Sequence, residues 1–467
     1  MIIQKVVKLA MEVFEQKMED FAGKADVKEL TADLALDFSA ALKNAFSEAG
    51  RQAYQRFIES YDLQEPILDI NGQTFRWKMV SPKVFLTPFG EIQVARSLYQ
   101  ADAGGKSYCP LDDFWGMKDE FATEDVREAV AFSMAHLTDD ETQQLFEKCA
   151  WFHPSATAIK NITDTIGNFV ETHADTIMQT VQDIQQLPQE TDVLVASMDG
   201  VNVLLREQGT QQGRPAQRPG HNASSSKNTA YKNAMAGAIS CYALPSEPEE
   251  RPQRLQSCYT ARMPQDGATT FKRQFEQEVL AAQEKLPQDA TKIFLCDGHL
   301  AIWSYADNNP MYDDYEKLID FYHTTEHLSK AGEALFGKSS DQGKVWYNKY
   351  RKKLLEDNDG AESVLRSMIY YSQNLPKSRK ESMEAERTFF MRNKDRMSYA
   401  DFLARGLPIG SGPVEAACKS IVKTRLCRSG MRWSRQGGQR ILHLRCFVKS
   451  NRWDVFWKQY IQLKRSA

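Results

Sequence analysis

Three acidic residues of this 467-residue chain stand in settings suited to ion chemistry. Asp199 and Asp297 each close an apolar run and precede glycine, in Val195-Ala-Ser-Met-Asp199-Gly200 and Ile293-Phe-Leu-Cys-Asp297-Gly298. Glu415 opens a helix within Ile409-Gly-Ser-Gly-Pro-Val-Glu415. Hard divalent cations need converging carboxylate oxygens. Two such cations about 3.5–4 Å apart activate an attacking oxygen and stabilise a leaving one.

Each carboxylate also has a purely structural explanation. Asp-Gly is a strong hairpin signal, so Asp199 would turn a strand over 192–198 into another over 201–206. Asp297 would cap a helix starting near His299. Glu415 would pair with Lys419 one turn on, worth about 0.2–0.5 kcal/mol. The order of the three argues against coincidence: a carboxylate ends a first strand, a second ends a later strand, and a third opens a helix after a long helical stretch. Three close carboxylates repel one another at a cost that a cation removes.

The elements that must position them follow from periodicity. Residues 1–60 read as helical, with Val6, Leu9, Ala10, Val13 and Phe14 on one face. Short alternating stretches between Phe75 and Tyr99 predict a small β unit. Val126, Ala129, Val130, Met134 and Leu137 follow a helical spacing, and Thr138-Asp-Asp-Glu141 predicts a capping box for a second helix through Cys149. A third helix from about Pro154 to His173 completes a helix-turn-helix-like unit over 121–175, the candidate DNA reader. Beyond it, strands are expected at 192–198, 201–206, about 235–244 and 255–262, then a helix at 269–286 and a strand at 291–296. That is the pattern of a mixed sheet, as in a ribonuclease-H-like core. Gln208 to Lys227 reads as a flexible loop, and 328–405 as a nearly continuous charged helix inserted before the chain returns with Glu415.

Composition bounds the rest. The length implies two or three domains, and 42% hydrophobic with 26% charged residues is ordinary globular composition. No run of about 18 apolar residues supports a membrane span, and lysines interrupt the apolar N-terminus, so a cytoplasmic protein without membrane partners is expected. The eight cysteines contain no Cys-x-x-Cys pair and read as free thiols, which makes zinc an unlikely cofactor. Residues 406–467 carry 13 Lys or Arg against Glu415 and Asp454, a local charge of +11 in a chain whose net is −3. Such a segment is a candidate polyanion surface.

Longer motifs carry a resemblance. Met198-Asp199-Gly200, Asp297-Gly298-His299-Leu-Ala-Ile-Trp303, Asp320-Phe-Tyr-His323-Thr-Thr-Glu326-His327, Gly406-Leu-Pro-Ile-Gly-Ser-Gly-Pro-Val-Glu415-Ala-Ala-Cys-Lys419 and Gly430-Met-Arg-Trp433 resemble bacterial DDE transposases of the Kra-four insertion-sequence family, within the Mutator-like group. The resemblance spans roughly residues 90–460. It implies an α/β ribonuclease-H-like catalytic core with a long helical insertion, preceded by the helical N-terminal region. The segments would then be 1–120, a helical and small β region; 121–175, the DNA reader; 190–327, the first part of the core; 328–405, the insertion; and 406–467, the basic C-terminal part.

It also implies that Asp199, Asp297 and Glu415 are the catalytic, metal-binding triad for Mg²⁺ or Mn²⁺. Asp320 and His323 match the family's Asp-x-x-His element and are expected near the site. Lys419, Lys423, Arg425, Arg428, Arg432 and Arg435 are expected to hold DNA phosphates, with Trp433 available to stack. Trp303 and Trp346 are expected to be packing residues. The reaction implied is end cleavage at terminal inverted repeats followed by strand transfer, by a homo-oligomer on DNA in a bacterial, nucleoid-associated setting. The alternatives are a transposase-derived binding or regulatory protein without strand transfer, and a structural helical protein. The family's Cys-x-x-Cys ribbon is absent, since only Cys109 stands in that position.

Overall fold

The structure, a computed structural model, describes residues 2–25, 29–70, 72–102, 104–150, 152–206, 231–247, 250–373 and 375–466. The loop expected over 208–227 therefore lies outside the described residues. The chain divides into two compact units, Met1–Asn168 with Ile461–Ala467, and Phe169–Tyr460. Among the described residues, no helix is long and apolar enough to cross a membrane.

The first unit opens with a helical hairpin, α1 (Ile2–Ala22) and α2 (Ala32–Glu59). Thr31 caps α2 by accepting the Leu34 N–H at 3.1 Å. The expected β unit is an antiparallel meander of β1 (Ile67–Ile70), β2 (Gln73–Thr87) and β3 (Gly90–Ala101). Ile58 of α2 joins Phe85, Ile92 and Val94 of the meander and Leu111 of α3 (Pro110–Phe114) in one small core. The predicted helices follow as α4 (Glu124–His136), α5 (Asp139–Cys149) and α6 (Ala156–Thr172). The Thr138–Glu141 capping box forms as read: the Thr138 hydroxyl accepts the Glu141 N–H at 3.2 Å, and the Glu141 carboxylate accepts the Thr138 N–H at 2.9 Å.

The second unit adds α7 (Ala174–Ile184) and a five-stranded sheet of β4 (Val193–Leu204), β5 (Tyr231–Ala243), β6 (Gln253–Arg262), β7 (Thr291–Cys296) and β8 (Glu316–Ile319). Its spatial order is β6-β5-β4-β7-β8. The β6–β5 and β5–β4 pairs are antiparallel, whereas β4–β7 and β7–β8 are parallel. The parallel pairs need crossovers, supplied by α8 (Thr269–Gln283) and α9 (Leu300–Asp307). Strand alternation separates two cores. Val193, Val195, Ile293, Leu295 and Leu318 face one side, while Leu194, Ala196, Met198, Phe294 and Cys296 face Phe271 and Phe275 of α8 on the other.

The first of these faces is covered by the insertion, which differs from expectation. It is not one long helix but a bundle of α10 (Phe321–Phe336), α11 (Asp341–Glu356), α12 (Gly360–Ser372), α13 (Lys377–Asn393) and α14 (Tyr399–Ala404). Leu328, Trp346, Leu354, Met368, Phe390 and Tyr399 point inward from these helices to the same core as Val193 and Ile293. A single helix could not bury so many apolar positions. Breaks at Gly337, whose φ is +98°, and around Asp357 let the chain fold back on itself. The chain then returns through α15 (Gly412–Ala417), a π-helical turn (Cys418–Lys423) and α16 (Thr424–Leu426), and ends with α17 (Arg435–Lys449) and α18 (Trp453–Ser466).

Candidate active site

Asp199 does not sit in a hairpin. β4 runs unbroken through it, and Asp199 pairs with Ala236 of β5 and Gly200 with Met235. A Cβ on Gly200 would lie 2.2 Å from the exposed Asn233 side-chain amide, which would have to shift. On the other side, β4 and β7 are parallel with Val195 opposite Ile293 and Ala196 opposite Phe294. Continuing that register three residues brings Asp199 level with Asp297, just past the end of β7. Alternation also gives both side chains the face shared by Val195 and Ile293.

Local bonds hold the pair. One Asp199 oxygen accepts the Gly200 N–H at 2.6 Å, and the other accepts the Cys418 thiol at 3.4 Å. One Asp297 oxygen accepts the His299 N–H at 3.0 Å, while its backbone carbonyl accepts the Trp303 indole N–H at 2.6 Å. Burial, with the Asp297 charge adding to it, raises the proton affinity of Asp199 above the usual carboxylate range; the Gly200 N–H, the Cys418 thiol and Lys423 oppose it. Asp199 thus feels the Asp297 charge, with Lys423 partly offsetting it.

Glu415 lies on α15, three residues before Cys418, so its helix is tied to Asp199 through that thiol. Its own side chain is exposed and leans on Lys419 at 3.8 Å. Among the described residues, no three of His, Cys, Asp and Glu are grouped closely enough to hold one metal ion. The donor chemistry of Asp199 and Asp297 nonetheless fits a hard cation, since both are carboxylate oxygen donors close to one level of the sheet.

The helix after Glu415 has an irregular middle. Just after the π-helical turn the Thr424 hydroxyl donates back to the Lys419 carbonyl at 2.8 Å. The Arg445 guanidinium, from α17, caps the Ile421 carbonyl at 2.7 Å and also bonds that of Ser420. Single π turns inside helices occur often at functional sites. Here the turn and Arg445 fix the segment that carries Cys418 to Asp199.

Asp320 and His323 have different roles. Asp320 is 1% exposed and caps α10, accepting the His323 N–H at 2.6 Å; its second oxygen accepts the Ser411 N–H. The Phe321 N–H donates to the Ile409 carbonyl at 3.0 Å, so the loop before Glu415 is fastened to the start of α10. The His323 ring meets His327 at 3.3 Å between Nε2 atoms, and His327 Nδ1 meets Glu386 at 2.6 Å. His327 stacks on Phe389 at 3.7 Å, and a Cβ on Gly298, beside Asp297, would fall 2.2 Å from that same Phe389 ring. The histidine pair is thus packed against the Asp297 turn.

The basic flank divides. Lys419, Lys423, Arg432 and Arg435 are exposed and Arg428 is half-buried, but Arg425 is 2% exposed. Arg425 lies over the Trp433 ring, 5.2 Å from its centroid, and is corrected from phosphate ligand to packing residue. Trp433 is likewise no free stacking platform. Its N–H groups donate to Leu204 and Leu426, and its carbonyl accepts the Arg206 N–H, stitching it beside β4. Arg435 bonds the Pro264 carbonyl and Arg428 the Thr424 carbonyl. Trp303 and Trp346 are buried, as read. Sequence reasoning missed Cys418, Arg445, His327, Glu386 and Phe389. Of these, only Cys418, one turn after Glu415, had a spacing that pointed to the site.

No known protein-family model matches the chain, and no curated protein does. Among solved structures, the Drosophila P element transposase strand transfer complex is similar at 12% identity, over 75% of this chain and 83% of that one, with a TM-score of 0.24. A superposition this loose transfers nothing from that complex to this chain.

Proposed function

We propose that this chain is a DDE-type transposase that cuts the ends of its own DNA element and joins the freed 3′ ends to target DNA. The observation that carries the reading is the sheet order β6-β5-β4-β7-β8, with Asp199 on its central strand and Asp297 immediately after the adjacent parallel strand, at the level that the β4–β7 register reaches when continued three residues. Two antiparallel pairs followed by two parallel pairs are the polarity expected of a ribonuclease-H-like core. The helical bundle between β8 and Glu415 agrees with the insertion that the Kra-four resemblance implies, and the motifs around Glu415 support that resemblance.

Asp199 and Asp297 are the carboxylates that would hold a divalent cation, and Glu415 joins them by turning its exposed side chain from Lys419. Mg²⁺ or Mn²⁺ bound there supplies charge stabilisation to the attacking and leaving oxygens of an in-line displacement. The Cys418 thiol orients Asp199, while Asp320 fastens the loop that leads to Glu415. Lys419, Lys423 and Arg432 contact backbone phosphates, which supply affinity rather than sequence choice. Sequence reading is assigned to α4–α6.

The test is cleavage and strand transfer on duplexes taken from the DNA flanking the coding sequence, with Mg²⁺ or Mn²⁺, for wild type and for Asp199→Asn, Asp297→Asn and Glu415→Gln. Wild type should nick and join, and each variant should lose both activities while still binding DNA. Variants as active as wild type overturn the reading. That Glu415 does not group with Asp199 and Asp297 among the described residues favours a second reading, a transposase-derived DNA-binding regulator. A wild type that binds the ends without cutting them would select it.

A further inference from the structure

We infer that His323 and His327 form a binding site for one divalent transition-metal ion of the zinc class, beside the Asp297 turn but separate from the two aspartates. The inference does not rest on the proposed nuclease chemistry. The two histidines are four residues apart on α10, a spacing that puts both rings on one helix face. Their Nε2 atoms stand 3.3 Å apart. Two imidazole nitrogens bound to one tetrahedral Zn²⁺, each at about 2.0–2.1 Å, stand about 3.3–3.4 Å from one another. The helix has therefore already set the spacing of a chelate, and a turn of the rings alone aims both lone pairs at one ion.

The placement of protons favours an ion there. A carboxylate only accepts, so the Glu386 bond at 2.6 Å puts the His327 proton on Nδ1 and leaves its Nε2 a bare lone pair. Without metal, the His323 Nε2–H donates to that lone pair. An ion takes the place of this proton, and the neutral His323 ring then carries its hydrogen on Nδ1, which faces the Glu326 carboxylate at 3.9 Å. Each ligand ring would thus have a carboxylate at its outer nitrogen, the arrangement that fixes the tautomer and raises basicity around bound zinc. His327 is held flat as well, stacked on Phe389 at 3.7 Å and 11°. Glu386 is 13% exposed and comes from α13, so two helices set the orientation of this ring. The His323 side chain is 33% exposed, which leaves the pair a side of entry. Among the described residues no third His, Cys, Asp or Glu completes the set, so water fills the remaining positions. Imidazoles suit Zn²⁺, Cu²⁺ and Ni²⁺, whereas Mg²⁺ and Mn²⁺ prefer the oxygens of Asp199 and Asp297. The missing Cys-x-x-Cys pair speaks only against thiolate-bound zinc.

Zn²⁺ titration of the full chain, freed of metal by dialysis against a chelator and read by competition with a chromogenic chelator, tests the inference. Wild type should hold one Zn²⁺ that His323→Gln and His327→Gln do not. Glu386→Ala should weaken that ion by about 10–100-fold, and loss of either imidazole by at least as much. Asp199→Asn with Asp297→Asn should leave it in place, so this proposal and the nuclease reading fail separately. The partly exposed His323 can be changed without opening the core, which circular dichroism checks. Zn²⁺ should then raise the unfolding midpoint of wild type and of the aspartate variant, but not that of His323→Gln. A wild type that holds no more Zn²⁺ than His323→Gln, or an ion lost with the aspartates and kept without the histidines, overturns the proposal.

Discussion

Asp320 joins two segments that are 91 residues apart in the chain: one oxygen caps α10 at His323, and the other accepts the buried N–H of Ser411, the residue that starts the helix of Glu415. The carboxylate of the Asp-x-x-His element therefore acts on the candidate site from behind. It holds the loop that carries Glu415.

Asp320→Ala should accordingly be destabilising. Loss of the cap costs about 1 kcal/mol, and the Ser411 N–H left unpaired in the interior costs a further 1–3 kcal/mol or so. Asp320→Asn keeps one acceptor and should fall between. Urea unfolding of the three proteins measures the series, and an alanine variant as stable as wild type would remove Asp320 from this role.

A pH effect is expected from Glu171, Arg262 and His443, which meet within the second unit. Arg262 makes a two-pronged pair with Glu171, at 2.6 and 2.8 Å, and the His443 ring bonds the same carboxylate. Burial pushes the His443 pKa below its usual range despite that bond, while the His443 hydrogen bond and Arg262 hold Glu171 below the carboxylate range. Both groups bind protons more readily in the unfolded chain. Stability is therefore fullest above the unfolded histidine value of about 6.5 and falls as pH drops toward the depressed native value; the Glu171 contribution is lost below about pH 4.3. Urea midpoints taken from about pH 7.5 to 5.5 should decline in wild type and flatten in His443→Phe. Equal slopes in the two proteins would count against a neutral, buried His443.

Salt dependence separates the basic residues. If Lys423 and Arg432 each neutralise one phosphate, removing either should lower the slope of log affinity against log salt by about 0.9 on duplex DNA. Arg425→Lys should leave the slope alone and reduce stability, because its guanidinium packs on Trp433 inside the protein. Binding titrations at several salt concentrations decide the matter. A slope changed by Arg425→Lys as much as by Lys423→Ala would contradict its burial.

Much of this was legible in the chain, and the failures have physical reasons. The two aspartates were found because apolar alternation marks strands and an acid at their ends breaks it. The hairpin expected at Asp199-Gly200 does not form because β4 continues through both residues in register with β5, a pairing that exists only across strands. The insertion was legible as helix but not as five helices, since its charged, amphipathic pattern continues across the breaks at Gly337 and Asp357. Arg425 could not be told from its neighbours in a basic run, because burial depends on where Trp433 lands beside Leu204. His327, Glu386 and Phe389 converge from separate helices, and no spacing announces that.

The thiol that ties the helix of Glu415 to Asp199 spans 219 residues of chain. A nascent polypeptide leaving the ribosome can complete all five strands of the sheet and begin the inserted bundle while its last carboxylate is still unsynthesised. Contacts of such long range also form late and slowly in refolding. The segment that follows residue 415 also bonds β4 and β6, through Trp433 at Leu204 and Gln439 at Met263, so the sheet is completed in sequence before it is completed in packing.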